Sequence, residues 1–361
     1  MDKIKVLIID DSALARKLLK DILDSDHGIE VVGTAPDPVI AMRKISALKP
    51  HVLTLDVEMP VMDGLTFLEQ LMKAHPMPVV MFSSLTHKGA DATLKALSLG
   101  AIDFVSKPQC TLSEGIENLR HDLIDKVKTA ASANIMKPSA AILPVPPRYD
   151  LNTVIQFHPS RKPWAQNQLD YVLVIGASTG GTVAIEQILC ALPEQTPPIL
   201  IVQHMPPLFT QSFAKRLNSL SALNVAEAKD NDVLRKGLAL IAPGGKHMML
   251  SRFSRGYCVR VKEGPPVNRH IPSIDVIFRS AANVVGPHAI GVILTGMGDD
   301  GARGLKEMHD AGAYTIAQDE ETSVVFGMPR VAIALDAVRK VLPIGSIAPF
   351  IVNMKNTDQS A

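Results

Sequence analysis

The chain has 361 residues, of which 47% are hydrophobic and 20% charged, proportions typical of a soluble globular protein. This length predicts two domains, each large enough for its own core. The formal net charge of +1 and the aromatic content of 4% argue against a nucleic-acid partner, because they offer neither a basic surface nor many stacking platforms.

The three cysteines, Cys110, Cys190 and Cys258, lie far apart and form no CxxC pair. They predict free thiols in a reducing compartment rather than a zinc ribbon or a disulfide framework. The first residues lack the layout of a signal peptide, and no uninterrupted apolar run reaches about 18 residues. We therefore expect a cytoplasmic protein that does not insert into membranes.

Residues 1–125 alternate strand and helix patterns, which predicts an α/β domain with a parallel sheet covered on both faces. The strand patterns fall near residues 4–9, 29–34, 51–56, 78–83 and 102–106. The helical patterns fall near residues 12–24, 37–48, 65–74, 88–99 and 114–129. Five such units with short, right-handed connections predict a doubly wound, flavodoxin-like sheet.

Three carboxylates follow two of these strands: Asp10 and Asp11 after the first, and Asp56 after the third. Because parallel strands present their carboxyl ends at one edge of a sheet, we expect the three acids to converge. Packed carboxylates repel one another, so they need a cation, and Mg²⁺ suits a site of few carboxylates, water and phosphate. Helix capping could account for Asp11 but not for Asp56, which precedes a turn-rich loop.

Two more polar groups are expected at the same edge, since Ser83 and Lys107 end the fourth and fifth strands. A lone loop lysine is usually just solvated, but this combination predicts a site for covalent phosphorylation of a carboxylate. This part of the chain resembles the receiver domain of two-component response regulators. The resemblance implies that Asp56 is the phosphoacceptor and that it binds Mg²⁺ with Asp10 and Asp11. It also implies that Ser83 is the switch hydroxyl and that Lys107 pairs with the phosphoryl group.

Residues 126–168 form the predicted interdomain linker. They include six prolines between Pro138 and Pro163, and proline continues neither helices nor central strands. The composition therefore predicts an extended, semi-stiff segment. Apolar residues such as Val154, Ile155 and Phe157 interrupt it, so we expect parts of it to dock on a domain.

Residues 169–355 repeat the alternation and predict a second doubly wound, Rossmann-like α/β domain. The strand patterns fall near residues 171–176, 198–203, 238–242, 257–262, 289–295 and 313–317. The helical patterns fall near residues 181–192, 207–219, 273–284, 301–311 and 329–340.

The first strand of this domain leads into the turn Gly176-Ala-Ser178-Thr-Gly180, which matches the G-x-S-x-G pattern of a nucleophile elbow. Small flanking residues permit a sharp turn, and the helix that follows offers N–H groups to an oxyanion. Such turns also bind phosphate, so a nucleotide-binding module is an alternative. Against it, the G-x-G-x-x-G spacing is absent and the next strand ends in Gln203 rather than an acid.

A histidine and two acids follow neighbouring strand patterns: His204 after the second strand, and Asp299 and Asp300 after a later one. One sheet edge can therefore hold a nucleophile, a base and an orienting acid within hydrogen-bonding reach. Alone, His204 would be read as a satisfied half-buried histidine and the Asp-Gly pair as a turn. The pattern itself does not choose between the two aspartates.

The chain order serine, histidine, aspartate disfavours the standard α/β-hydrolase fold. The arrangement instead resembles the chemotaxis protein-glutamate methylesterases, which carry a receiver, a linker and a serine esterase domain. The blocks that carry this resemblance span nearly the whole second domain: GASTGG, QHMPP, APGGKHM, PPVNRHIPSIDVIFRSAA, LTGMGDDGARG and QDEETSVVFGMPR. The resemblance implies that Ser178 is the nucleophile, His204 the general base and Asp300 the orienting acid. It assigns oxyanion binding to the backbone around Thr179 and Met297.

The resemblance also implies the reaction and the partners. It implies demethylation of γ-glutamyl methyl esters on the cytoplasmic domains of methyl-accepting chemoreceptors, release of methanol, and deamidation of receptor glutamines. A chemotaxis histidine kinase would be the phosphodonor, and Mg²⁺ would serve the receiver alone, with no cofactor for ester hydrolysis. The architecture suggests that an unphosphorylated receiver covers the sheet edge of the second domain. A DNA-binding response regulator ranks last, because no helix-turn-helix layout or basic stripe follows the receiver.

Three further residues near this edge receive expectations. Ile271 stands where relatives often have arginine, which is expected to alter substrate docking at the rim without touching the triad. His247 and His270 lie in loops rich in glycine or proline and are expected to line the cleft. The remaining histidines show no metal-ligand spacing.

Overall fold

The computed structural model describes residues 3–60, 62–84, 86–107, 113–133, 151–157, 171–254 and 256–358. The chain divides into two compact units, Met1–Ile142 and Leu143–Ala361. Cys110, Trp164 and most of the predicted linker lie outside the described residues. Among the helices described, none combines the length and apolar character needed to cross a lipid bilayer.

The first unit is a five-stranded parallel sheet with helices between successive strands. Its strands are β1 (Ile4–Ile9), β2 (Ile29–Ala35), β3 (Val52–Asp56), β4 (Val79–Ser83) and β5 (Asp103–Ser106). Its helices are α1 (Ala13–Asp24), α2 (Pro38–Leu48), α3 (Gly64–Ala74), α4 (His87–Ser98) and α5 (Ser113–Ala131). The strand order β2-β1-β3-β4-β5 confirms the flavodoxin-like prediction.

Local sequence explains where these helices begin. The side chains of Ser12, Asp37, Asp63 and Thr86 each accept a backbone N–H from the first turn of α1 to α4, as N-cap residues do. Strands β3 and β4 are buried along their whole length, as expected for parallel strands covered on both faces. Helix α5 continues to Ala131, so it runs across the domain boundary that we predicted at residue 125.

The second unit is built on a seven-stranded parallel sheet and a two-stranded antiparallel ribbon. The sheet strands are β6 (Val172–Ala177), β7 (Ile199–Gln203), β8 (Asn224–Glu227), β9 (Leu238–Ile241), β12 (Ala289–Ile293), β13 (Tyr314–Gln318) and β14 (Lys340–Leu342). The ribbon strands are β10 (His247–Phe253) and β11 (Gly256–Lys262). The sheet order is β14-β13-β12-β6-β7-β9-β8, so the chain leaves β6 toward one side and later returns on the other. The switch point of this doubly wound sheet therefore lies at β6.

The helices of this unit are α6 (Gly181–Ala191), α7 (Phe209–Leu220), α8 (Ile274–Val284), α9 (Ala302–Asp310), α10 (Met328–Ala334) and α11 (Ile344–Asp358). Two predictions need correction, and four elements were missed. The strand predicted at 257–262 belongs to the ribbon rather than to the sheet, and the helix predicted at 329–340 ends at Ala334. Strands β8, β10 and β14 and helix α11 were not predicted.

Helix α8 is the central packing element, with every residue from Ile274 to Ala282 buried. It packs closely against α9 at Gly304. A Cβ at this glycine would lie 2.8 Å from the backbone oxygen of Asp275, so the two helices leave no room for a side chain there. Residues 151–157, which belong to the predicted linker, also dock here: Leu151 packs with Val267 and Val276. This packing fixes the N-terminus of α8 at the carboxyl edge of the sheet.

Candidate active site

Ser178 directly follows β6 at the switch point of the second sheet. Its N–H donates to the Thr295 carbonyl (3.0 Å), and its own carbonyl accepts from the Gly181 N–H (2.7 Å). Gly180 has φ +77°, and a Cβ there would lie 2.6 Å from Val324 Cβ, so this position requires glycine. The sequence thus builds the predicted strand, sharp turn and helix around the serine.

His204 directly follows β7 and joins Ser178 to Asp300. Its Nδ1 lies 3.1 Å from Ser178 Oγ, and its Nε2 lies 2.8 Å from Asp300 Oδ2. An ionised carboxylate can only accept, so Nε2 carries the proton and Nδ1 is left to accept the serine hydroxyl proton. The structure therefore brings the three predicted residues into one hydrogen-bonded line and leaves Asp299 outside it.

Asp300 is an almost fully buried carboxylate (1% exposed) that faces several donors. Besides His204, it accepts from the Ile274 N–H (2.7 Å), the Ser273 hydroxyl (2.8 Å) and the Asn268 amide (3.1 Å). Burial alone would raise the pKa of Asp300, but the hydrogen bonds from His204 and from the α8 N–H hold that pKa well below its usual range. Asp300 thus stays ionised and caps the positive end of α8.

His247 supports this arrangement from within the protein. Its side chain is buried, its Nε2 donates to the Pro265 carbonyl (3.0 Å), and its Nδ1 accepts from the Ser273 N–H (3.3 Å). Burial lowers the pKa of His247, which favours the neutral ring that these two bonds require. The expectation that His247 lines the cleft was therefore wrong. His270, the other histidine expected at the cleft, stacks on the catalytic candidate His204.

The segments expected to bind an oxyanion run beside the serine. Thr179 follows Ser178 at the start of α6, and its carbonyl accepts from the Thr295 hydroxyl (3.0 Å). A Cβ at Gly296 would lie 2.7 Å from Ser178 Cβ, so the chain leading into Met297 passes directly against the nucleophile. The backbone around both predicted positions is therefore adjacent to Ser178.

Several residues of this site were not singled out from the sequence. The Gln203 amide donates to the carbonyls of Ser178 (2.9 Å) and His204 (3.3 Å), which ties the nucleophile segment to the base segment. A polar residue closing an apolar strand was the available signal for Gln203. Ser273 and Asn268 lie in the block PPVNRHIPSID, in which we singled out only His270 and Ile271. The carbonyl of the half-buried Ile271 accepts from the Gly245 N–H (3.2 Å).

A second polar cluster lies at the carboxyl edge of the first sheet. Asp10, Asp11 and Asp56 can each offer one carboxylate oxygen within 4.8 Å of the others. Lys107 Nζ lies 2.7 Å from Asp56 Oδ2 and 3.6 Å from Asp10 Oδ2. Burial raises the pKa of Asp10 and Asp56, and Lys107 opposes this shift.

The donor set of this cluster fits a hard divalent cation. It consists of carboxylate oxygens, and Oδ2 of the buried Asp10 has no hydrogen-bond partner among the described residues. Ser83 is buried at the end of β4, where its hydroxyl donates to the Gly89 carbonyl (3.2 Å). Arg16, which the sequence did not single out, donates to the carbonyls of Asp10 (2.7 Å) and Asp11 (2.9 Å) and so fixes the loop after β1.

The fold and the two clusters define a class of protein: a receiver-type domain carried on one chain with an α/β domain that has the side-chain arrangement of a serine hydrolase. The comparisons with known proteins agree. Residues 6–119 match the model of the response regulator receiver domain, and residues 173–351 match the model described as CheB methylesterase. The chain belongs to the CheB methylesterase family.

Similar proteins cover nearly the whole chain. A protein-glutamate methylesterase/protein-glutamine glutaminase 1 of Geobacter metallireducens is 52% identical over 95% of this chain and 94% of its own length. A relative of the same type from Salmonella typhi is 50% identical over 96% of both chains. The crystal structure of the Thermotoga maritima CheB methylesterase catalytic domain is 39% identical, covers 51% of this chain and 98% of its own, and has a TM-score of 0.50.

Proposed function

We propose that this chain is a phosphorylation-regulated serine hydrolase of bacterial chemotaxis. Its reaction is the hydrolysis of glutamyl methyl esters on the cytoplasmic domains of methyl-accepting chemoreceptors, with release of methanol. It also deamidates receptor glutamines to glutamates, and it acts in the cytoplasm. The observation that carries this proposal is the line of hydrogen bonds from Ser178 through His204 to Asp300, and the names of the full-length relatives support it.

In this reaction Ser178 Oγ attacks the ester carbonyl while His204 Nδ1 takes the hydroxyl proton. The tetrahedral intermediate collapses to a glutamyl-serine ester, and the imidazolium returns the proton to the departing methoxide, which leaves as methanol. Water then attacks the acyl-enzyme by the same route and releases the glutamate side chain. Throughout, Asp300 orients the imidazole and stabilises its positive form.

The developing negative charge on the carbonyl oxygen is met by the backbone beside the nucleophile. Thr179 and the positive end of α6 lie on one side, and the segment of Met297 lies on the other. An amide substrate follows the same path with ammonia as the leaving group, so one site serves both glutamyl esters and glutamines.

The receiver supplies the regulation. A chemotaxis histidine kinase is the phosphodonor, and the Asp56 carboxylate accepts the phosphoryl group, with Lys107 beside it as a counter-charge. Asp10, Asp11 and Asp56 would hold Mg²⁺, which neutralises phosphoryl charge when bound. Asp56 ends β3 and Ser83 ends the adjacent strand β4. Phosphorylation of Asp56 would therefore take place beside the strand end that carries the switch hydroxyl.

Methanol release from methylated receptor membranes tests the assignment. Replacing Ser178 with alanine is expected to lower the rate by about 10⁴-fold or more, and a loss under about tenfold would refute the role of Ser178. Acetyl phosphate is expected to raise the rate of the wild-type chain but not that of Asp56→Asn. Equal rates with and without the phosphodonor would refute the regulation.

A further inference from the structure

Two buried carboxyl groups lie side by side at the N-terminus of α8, and one of them, Asp275, is outside the triad. Asp275 is 0% exposed, and its N–H lies 3.4 Å from Asp300 Oδ1. Its Oδ1 accepts from the Gly304 N–H (2.7 Å), and its Oδ2 accepts from Asn268 Nδ2 (2.6 Å). Since the same Asn268 nitrogen lies 3.1 Å from Asp300 Oδ1, one amide group spans both acids.

The charge state of the two acids is consistent with this contact. Burial, and after it repulsion from Asp300, raises the pKa of Asp275 above its usual range, whereas the donors around Asp300 lower the pKa of that carboxyl. The negative charge that His204 requires is therefore held preferentially on Asp300. Without the Asn268 amide, Asp300 would lose one of the donors that fix its rotation.

Asn268 is presented by a tight turn with an unusual backbone. Val267 and His270 exchange both N–H···O bonds, at 3.1 Å and 2.8 Å, and the two residues between them have φ +48° (Asn268) and φ +70° (Arg269). Two consecutive positive φ values are typical of a type I′ turn, in which asparagine is favoured first and glycine second. Arginine at the second position is strained, and such strain persists where the surrounding contacts hold it.

The same turn also supports the base. The His270 ring stacks on the His204 ring, with centroids 3.7 Å apart and planes 9° from parallel. His204 is bonded at one edge to Asp300 and at the other to Ser178, so a ring against its face restricts the remaining rotation. The turn thus touches the carboxylate through Asn268 and the imidazole through His270.

We propose that the Val267–His270 turn is a positioning element for the His204–Asp300 pair, in which Asn268 fixes the carboxylate and His270 fixes the imidazole. This rests on the proposed function. It predicts that a variant of Asn268 or His270 keeps Ser178, His204 and Asp300 but fixes the orientation of the His204–Asp300 pair less firmly. Misplacement of about 1 Å costs roughly a hundredfold in rate, so a partial loss of support should cost about tenfold to a hundredfold in kcat.

The experiment measures methanol release by the full chain carrying Asn268→Ala, His270→Ala or His270→Phe. Ser178-directed fluorophosphonate labelling counts competent sites, so that turnover is expressed per labelled site. We expect both alanine variants to lose about tenfold to a hundredfold in kcat per site with KM unchanged. His270→Phe keeps a flat ring over His204 and should recover most of the loss. Asn283→Ala removes an amide at the far end of α8, where it donates to the Gln156 carbonyl, and should keep wild-type turnover.

The outcomes separate the two proposals. If the alanine variants show fewer labelled sites but wild-type kcat per site, the turn is merely structural and the positioning proposal is overturned. An equal loss in His270→Phe and His270→Ala overturns the stacking role. If Ser178→Ala stays active, the proposed function itself fails. If Ser178→Ala is inactive and the turn variants match wild type, the positioning proposal alone fails.

Discussion

Replacing Gly296 with alanine tests how closely the fold must hold the Ser178 hydroxyl. The new Cβ would come nearest to Met328 Sδ, which a flexible side chain can move, and would lie 2.7 Å from Ser178 Cβ and 3.2 Å from the Ser178 nitrogen. Carbon atoms in contact are about 3.5–4.0 Å apart, so one of the two segments must move by about 1 Å. Gly296 is fixed by its own N–H, which donates to the Val325 carbonyl (3.0 Å), so much of the displacement should fall on the serine.

A displacement of about 1 Å at a reacting atom costs on the order of a hundredfold in rate. We therefore expect Gly296→Ala to lower kcat for methanol release by about a hundredfold, with the receptor KM nearly unchanged. Gly345→Ala is the matched control, since its Cβ would meet only the Gln187 amide nitrogen at 3.8 Å and should leave kcat unaltered. If folded Gly296→Ala keeps kcat within about threefold of wild type, the positional argument is wrong.

Three further outcomes follow from charges and ion pairs. Arg279 is 6% exposed and pairs with Glu307 (2.7 Å), so Arg279→Ala leaves the mostly buried Glu307 carboxylate without this partner and should lower the unfolding free energy of the second unit by about 3 kcal/mol. Arg216 pairs with Glu186 (2.9 Å) and is more exposed, so Arg216→Ala should cost less than about 1 kcal/mol by calorimetry; equal losses in the two variants would contradict this. Asp300→Asn should cost about 10⁴-fold in kcat, because the amide neither fixes the proton on His204 Nε2 nor supplies negative charge to the imidazolium; a loss under about tenfold would contradict this. Mg²⁺ should raise the Tm of the first unit less at low pH than at neutral pH. Burial raises the pKa of Asp10 and Asp56, so at low pH protons compete with Mg²⁺ for these carboxylates. An equal Tm shift at low and neutral pH would exclude this competition.

The gathering of the site groups could be predicted from the sequence because it depends on strand ends. Ser178, His204 and Asp10 each come directly after a short apolar strand, and parallel strands bring such positions to one edge. The choice between Asp299 and Asp300 could not be predicted from the pattern, because it depends on which side chain the N-terminus of α8 faces. In the sequence, only the resemblance to the methylesterase family distinguishes Asp300 from Asp299.

The remaining errors have physical causes in particular residues. From Val259 to Lys262 the run 257–262 alternates apolar and charged residues, as a half-covered strand does, but this pattern does not show which strand it pairs with, so its partner could not be inferred. The helical pattern of 329–340 continues past Ala334, but Asp336 adopts φ +52° and ends the helix. Helix α11 contains Pro349, and a proline inside a segment predicts a break rather than a continuous helix.

The order of the strands in the sheet explains why the chain order serine, histidine, aspartate is compatible with the site. Strands β12, β6 and β7 are adjacent, so the residues that follow them meet whatever their order along the chain. The connection that leads back to β12 passes through α8, and the first turn of that helix donates to Asp300. Helix α8, which connects the chain back to β12, therefore also stabilises the negative charge of Asp300. Ile274→Pro removes this N–H. It should therefore raise the pKa of Asp300 without changing any triad side chain.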